Sequence, residues 1–179
     1  MGMAKITIFG LAGTGKTTAG KILAEKLGYA YMSSGSIFRN YATEMGLSLN
    51  QFEVIASTTD EYDKKLDKEV AEYGKSNNNF VFESRLAWHF IPDSFKVNLT
   101  CDLETRLQRV ASREDKSFGQ VNEETTHREE MITKRYKEYY LIENFSDAKN
   151  FDFSVDTTKN NPDQVVDLIY NELKNRGLI

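Results

Sequence analysis

The chain has little cysteine, no excess of positive charge and no long apolar run, and each absence excludes a class of protein. Its 179 residues include one cysteine and two histidines. A single cysteine cannot form an intramolecular disulfide, and a structural zinc site takes about four such ligands. A net charge of -4 gives no basic field favouring DNA or RNA. Without a signal-peptide pattern or an apolar run near the roughly 18 residues of a membrane span, we expect a cytoplasmic protein that binds neither nucleic acid nor membrane.

What the chain does contain is an alternation of strand-like and helical patterns. β-branched and aromatic runs predict strands at residues 5–10, 29–32, 80–83, 95–101 and 151–156. Apolar residues at helical spacing predict helices at 17–27, 103–113, 128–140 and 162–174. This alternation favours a parallel sheet with helices on both faces, and the length suits one domain.

Two segments do not follow the alternation. Residues 37–79 have a helical pattern and lie between the second and third predicted strands. Within them, residues 60–70 space acidic and basic side chains for i, i+4 pairs, which indicates a solvated helix face without catalytic residues. Residues 114–127 are polar, separate two predicted helices and are typical of a structureless, mobile lid or disordered loop.

The segment "GLAGTGKT", residues 10–17, matches G-x-x-x-x-G-K-[ST] between a predicted strand and a predicted helix. Backbone N–H groups of such a loop, together with the helix N-terminus, form a cradle for phosphate oxygens. The Lys16 ammonium would reach the β- and γ-phosphates, and the Thr17 hydroxyl would hold Mg²⁺. The motif therefore predicts a nucleoside triphosphate site made of Gly10, Leu11, Ala12, Gly13, Thr14, Gly15, Lys16, Thr17 and Thr18. No N-K-x-D motif accompanies it, so a GTPase switch is not expected.

Arginines stand where an open α/β sheet binds its ligands. Arg39 and Arg85 follow the second and third predicted strands. Two helix faces beside the 114–127 insert carry five more: Arg106, Arg109, Arg113, Arg128 and Arg135. Taken singly, each could be a solvated surface charge or half of a weak ion pair. Taken together, they suit phosphoryl transfer between two anionic substrates, which needs cations around the moving group.

The order of these motifs resembles the nucleoside monophosphate kinases, and most of all the short archaeal-type cytidylate kinases. The segments that carry the resemblance are the phosphate loop, "SSGSIFR" (33–39), "FVFESR" (80–85), "RLQRVASR" (106–113) and "REEMITKRYKEYY" (128–140). The resemblance implies an adenylate-kinase-like, three-layer P-loop NTPase fold with a five-stranded parallel sheet in the order 2-3-1-4-5. It also implies one kinase domain over residues 1–179, with 37–79 as the monophosphate-binding insert and 114–127 as the lid. Ser84 stands where the family usually has glycine, which leaves the acceptor base and the efficiency open.

The resemblance also implies roles for individual residues. Those implied for the acceptor monophosphate are Ser34, Gly35, Ile37, Phe38, Arg39, Glu83, Arg85, Arg128 and Arg135. Those implied for catalysis are Lys16, Arg109, Arg113, Arg128 and Arg135. Thr158 and Lys159 would lie in the loop that passes the donor adenine. Arg109 would also bind ATP, closing over the phosphate groups, and Glu83 would order water around Mg²⁺.

The reaction implied is transfer of the ATP γ-phosphoryl group, with Mg²⁺, to CMP or dCMP by direct in-line displacement, in a protein we expect to be monomeric. Adenylate kinase, with AMP as acceptor, is an alternative that uses the same phosphate-binding residues. A non-catalytic ATP-binding regulatory module is a second alternative. A kinase of a small acceptor without phosphate fits less well, because Arg39 and Arg85 would then have no partner. The sequence leaves open the acceptor base, ribose or deoxyribose, ATP or GTP, and the oligomeric state.

Overall fold

The computed structural model describes residues 4–179 apart from the side chain of Asn50, so residues 1–3 of the predicted domain lie outside the described residues. The strands are β1 (Lys5–Gly10), β2 (Ala30–Ser33), β3 (Phe80–Glu83), β4 (Phe95–Thr100) and β5 (Phe153–Asp156). They form one parallel sheet in the order β2-β3-β1-β4-β5, which confirms the predicted order. The central strand β1 ends at the phosphate loop, and its two neighbours end beside that loop.

Eight helices connect and cover the described strands. They are α1 (Lys16–Leu27), α2 (Ser34–Glu44), α3 (Leu49–Ala56), α4 (Glu61–Ser76), α5 (Ala87–Phe90), α6 (Leu103–Glu114), α7 (Phe118–Tyr140) and α8 (Pro162–Asn175). Two strand starts differ from the sequence prediction. The Tyr29 N–H instead closes the end of α1 by donating to the Ala24 carbonyl at 2.9 Å, and the Phe151 ring stacks on Phe9 at 4.9 Å before β5 begins. Among residues 4–179, no helix is both long and apolar enough to cross a membrane.

The strand residues alternate between two apolar layers. Ile6 and Ile8 point to a layer completed by α1 and α8, where Leu23 and Ile169 are fully buried. Phe9 points to the opposite layer, under α7. This alternation is what a parallel sheet buried on both faces requires, and it leaves the carboxyl ends of the strands for ligands.

The insert 37–79 is helical, as its pattern predicts, and consists of most of α2 together with α3 and α4. Its centre is Phe52, which is fully buried and makes edge contacts with Phe38 at 5.0 Å and Tyr62 at 4.8 Å. The same cluster includes Phe80 and Phe82 of β3. The insert therefore packs onto one face of the sheet at β3, the strand that carries Glu83.

The prediction that residues 114–127 are structureless is wrong. After α6 the chain turns through Asp115, whose φ is 52°, and α7 begins at Phe118, ten residues before the predicted helix. The Ser117 hydroxyl accepts a hydrogen bond from the Gln120 N–H at 3.3 Å and caps the helix. Val121 is buried against α6. Two apolar residues, Phe118 and Val121, within a polar stretch give a weak periodic signal, so the sequence did not reveal these first ten residues of the helix.

Candidate active site

The phosphate loop lies between β1 and α1 and is held in shape by its own residues and by α6. Buried Thr14 donates to the Leu11 carbonyl through both its N–H, at 3.3 Å, and its hydroxyl, at 2.9 Å. Gly13 has a φ of 83°, and a Cβ there would lie 2.3 Å from the Arg106 carbonyl oxygen. Only glycine therefore lets α6 approach the loop this closely.

Lys16 begins α1, directly after the loop. Its Nζ lies 4.0 Å from the Glu83 Oε1 atom, and its side chain is 18% exposed. Burial lowers the pKa of Lys16 to about 8, Glu83 opposes this shift, and the Arg85, Arg113 and Arg106 guanidiniums add to it. The ammonium is thus poorly solvated and surrounded by like charges, and an anion in the loop would stabilise it.

Three arginines line one cavity beside the loop: Arg85 after β3, Arg113 near the end of α6 and Arg128 on α7. Burial lowers the pKa of Arg85, and the charges of Arg128 and Arg135 act in the same direction. Within residues 4–179, no hydrogen bond or ion pair joins the Arg85 guanidinium to another residue. Arg113 forms an exposed ion pair with Glu114 at 2.9 Å, which contributes little. Glu114, Glu124 and Glu129 also line the cavity, so its formal charges balance. Each glutamate is already in an ion pair, with Arg113, Lys116 and Arg106 respectively, which leaves Arg85 and Arg128 without one within residues 4–179.

Arg109 lies one turn before Arg113 on α6 and is not among the residues that line this cavity. Its Nη2 atom donates to the Thr157 carbonyl at 2.8 Å, and its Nη1 atom donates to the Gly13 carbonyl at 3.4 Å. The next residue, Thr158, accepts a hydrogen bond from the Asp102 N–H through its hydroxyl at 3.0 Å, and Lys159 is exposed. The structure thus brings together the residues assigned to the donor nucleotide.

Arg135 is not free, because its Nη1 atom forms an ion pair with Asp63 of α4. One turn further along α4, Asp67 accepts a hydrogen bond from the Tyr140 hydroxyl. Burial raises the pKa of Asp63, and burial raises that of Asp67 to about 6. The prediction of a solvated acidic face is therefore wrong for these two carboxylates, whereas Asp60 forms the expected surface pair with Lys64 at 2.6 Å.

The residues assigned to the acceptor begin at the N-terminus of α2. The buried Ser34 hydroxyl has no hydrogen-bond partner among the residues described. Gly35 and Arg39 are exposed. Ile37 is only 7% exposed and packs in the cluster around Phe52, so it lies in the core and does not line an open slot. Phe38 is partly buried in the same cluster.

Comparison with known proteins places this arrangement in a family. Residues 5–159 match the model of the cytidylate kinase-like family. The chain belongs to the cytidylate kinase-like family. It is 40% identical over 169 residues to the cytidylate kinase of Methanobrevibacter smithii, covering 94% of this chain and 98% of that protein. It is 38% identical over 166 residues to the cytidylate kinase of Halobacterium salinarum, covering 92% and 86%.

Solved structures of other proteins have a similar fold. An uncharacterized protein from Eubacterium ventriosum has a TM-score of 0.70 at 18% identity, covering 94% of this chain and 97% of that one. Shikimate kinase from Acinetobacter baumannii, solved with shikimate, has a TM-score of 0.66 at 16% identity, covering 97% and 94%. At such low identities, the likeness shows the fold alone.

Sequence reasoning missed Tyr31 and Asp63, and it took Arg106 for one of the cations around the transferring group. Arg106 is 5% exposed and donates to the Ala12 carbonyl at 3.1 Å and to Glu129 at 2.9 Å, so it braces the loop against α7. The Tyr31 hydroxyl donates to Glu83 at 2.6 Å. Asp63 holds Arg135, as described above. Helical spacing places Arg106 beside an apolar stripe, but for Tyr31 the strand pairing is needed to identify its partner.

Proposed function

We propose that the protein transfers the γ-phosphoryl group of ATP, with Mg²⁺, to CMP or dCMP and so forms CDP or dCDP. Two relatives named cytidylate kinase, at 40% and 38% identity over nearly the whole chain, support the choice of acceptor. The fold and the phosphate loop support the choice of a nucleoside triphosphate as donor.

The observation that carries the proposal is the Arg85 guanidinium, which lines the cavity with Arg113 and Arg128 and has no ion pair or hydrogen bond within the described residues. A half-buried cation without a partner is costly, and a phosphate would bind it through two N–H groups at once. Arg85 stands at the end of β3, beside the strand that leads to Lys16. A phosphate on Arg85 would therefore lie next to a phosphate in the loop.

In this proposal catalysis is alignment and charge neutralisation. The acceptor's phosphate oxygen is already anionic, so no general base is needed. Lys16, Arg113 and Arg128 would neutralise the charge on the transferring group, while Arg109 positions the donor. Arg39, Arg85 and the unpartnered Ser34 hydroxyl would hold the acceptor phosphate.

The residues present also fit a magnesium ion. The Thr17 hydroxyl is exposed at the start of α1, and Glu83 is 8% exposed at the end of β3. A hydroxyl and a carboxylate are the hard oxygen donors that Mg²⁺ prefers, and their small number leaves positions for phosphate oxygens and water. Thr17 would bind the ion directly and Glu83 through water, and the ion would then neutralise charge on the phosphate oxygens.

The Asp63–Arg135 pair has a consequence for acceptor binding. If Arg135 contacts a phosphate during turnover, that phosphate must compete with the Asp63 carboxylate for the same guanidinium. A bound phosphate would therefore loosen the contact between α4 and α7 while it neutralises Arg135.

A panel of acceptors tests the proposal. Formation of ADP is followed with ATP and each of CMP, dCMP, UMP and AMP in turn, and then with GTP as donor. CMP or dCMP should give the highest kcat/KM. AMP as the preferred acceptor would instead identify an adenylate kinase, and ATP binding without product from any acceptor would identify a regulatory module. Either result would overturn the proposed function.

A further inference from the structure

Tyr31 and Glu83 meet across two neighbouring strands. In the parallel pairing of β2 with β3, Ser33 lies opposite Glu83 and Tyr31 lies opposite Val81. Side chains two residues apart on a strand share a face, so Tyr31 and Glu83 are diagonal neighbours on one face of the sheet. The Tyr31 hydroxyl donates to the Oε2 atom of Glu83 at 2.6 Å.

The other carboxylate oxygen of Glu83 faces the phosphate loop. Its Oε1 atom lies 4.0 Å from the Lys16 Nζ atom, which is too far for a direct hydrogen bond. An unrestrained carboxylate beside a half-buried ammonium would approach to about 2.8 Å and form a charge-assisted hydrogen bond. Another interaction must therefore hold the Glu83 carboxylate away from the Lys16 ammonium. The Tyr31 hydroxyl is the group that is hydrogen-bonded to this carboxylate.

Packing under α1 fixes the position of the Tyr31 ring. It packs against the core layer under α1, where a Cβ at Gly20 would lie 3.0 Å from the ring atom Cε2. The Lys21 ammonium lies 5.9 Å from the ring centroid. Burial, and then Glu83, raise the pKa of Tyr31, so the phenol keeps its proton and remains a donor. Glycine at position 20 thus gives the ring a fixed position from which its hydroxyl reaches the carboxylate.

We propose that Tyr31 is a positioning residue for phosphoryl transfer, whose hydroxyl holds the Glu83 carboxylate away from a direct ion pair with Lys16. The ammonium then stays available to phosphate, and the second carboxylate oxygen stays directed at the water around the magnesium ion. This inference rests on the proposed function. It adds a residue that touches neither nucleotide and acts through Glu83.

The test compares Tyr31→Phe, which keeps the ring and removes the hydroxyl, with Tyr170→Phe on α8 as a matched control. Tyr31→Phe loses one hydrogen bond, which should lower its Tm by only about 2–4 °C. In Tyr31→Phe the half-saturating free Mg²⁺ concentration should rise and kcat should fall, each about tenfold. Tyr170→Phe should change neither.

A measurement without metal separates positioning from general damage. The charged groups that face Lys16 are Glu83, Arg85, Arg113 and Arg106. A Glu83 carboxylate that moves closer to Lys16 would compete with phosphate for the ammonium, so metal-free ADP should bind Tyr31→Phe about fivefold more weakly than wild type, as measured by isothermal titration. Tyr170→Phe should bind metal-free ADP as tightly as wild type. Unchanged affinity together with unchanged kcat would refute the proposal.

A double variant, Tyr31→Phe combined with Glu83→Gln, distinguishes an effect that acts through Glu83 from a general structural effect of Tyr31→Phe. If Tyr31 acts through Glu83, adding Tyr31→Phe to Glu83→Gln should change kcat by less than twofold beyond Glu83→Gln alone. Independent, multiplying effects would contradict the inference. If the wild-type protein forms no CDP, the proposed function fails, yet the affinity for metal-free ADP still decides whether Tyr31 positions Glu83.

Discussion

At the scale of single residues, two arginines of α6 differ in burial and in their partners. Arg106 and Arg113 lie on the same helix, seven residues apart. Arg106 is 5% exposed and bound on both sides, whereas Arg113 is exposed and lines the cavity with Arg85. The spacing predicts that they share a helix face, but depth of burial depends on what α7 places opposite each one.

This division predicts opposite outcomes for two substitutions on α6. Arg106→Ala leaves Glu129 and the Ala12 carbonyl without their donor and should lower the free energy of unfolding by about 2 kcal/mol or more. Arg113→Ala should change it by less than about 0.5 kcal/mol and lower kcat about 100-fold. Urea denaturation and steady-state kinetics on both variants check this. A stable Arg106→Ala, or a fully active Arg113→Ala, would contradict the assignment.

At the scale of secondary structure elements, the main finding is that α4 and α7 are joined. Asp63 pairs with Arg135, Asp67 accepts from Tyr140, and the Lys64 ammonium lies 5.2 Å from the Tyr139 ring. The acidic face of α4 therefore meets the C-terminal half of α7, the helix whose first ten residues lie in the predicted lid. The i, i+4 spacing of α4 gave no sign of this contact, because the partner lies more than seventy residues away in the chain.

Asp63 and Asp60 on α4 provide a matched pair for testing competition at Arg135. Asp63→Asn removes the carboxylate that competes with phosphate, so the KM for the acceptor should fall about fivefold. Asp60→Asn breaks an exposed pair with Lys64 and a side-chain interaction with Tyr139 but leaves Arg135 on Asp63, so it should leave the KM unchanged. Initial rates over a range of CMP concentrations measure both. A KM that rises in Asp63→Asn would show that the ion pair builds the acceptor site.

Asp67 predicts a pH dependence of stability. Its pKa is about 6 in the folded protein against an ordinary value of 3.8, because burial disfavours the charged form. The protonated carboxyl therefore stabilises the fold fully below about pH 4, and this contribution is lost as the pH rises through 6. It corresponds to at most about 3 kcal/mol.

Thermal melts of wild type and Asp67→Asn between pH 4 and pH 8 check this expectation. The variant cannot take on the buried charge, so its Tm should rise relative to wild type as the pH rises through 6. A difference between the two proteins that stays constant over this range would rule out Asp67 as the titrating group.

At the scale of the whole molecule, the sequence predicted the fold better than it predicted the contacts between distant side chains. The phosphate-loop motif and the family resemblance predicted the nucleotide cradle and the strand order, because both depend on local patterns. The start of α7, the burial of Arg106 and the Tyr31–Glu83 bond could not be predicted, because each depends on which side chains the fold brings together from distant segments. Asp63 was missed for the same reason.

The central claim is that Lys16 and the cavity of Arg85, Arg113 and Arg128 form one space in which two nucleotides meet end to end. Isothermal titration with adenosine and cytidine joined through five phosphates tests it most directly. The account predicts one molecule bound per protein, at least about 100-fold more tightly than ADP or CMP alone, with most of that gain lost in Arg85→Ala. Binding no tighter than ADP, or a gain that survives loss of Arg85, would contradict it.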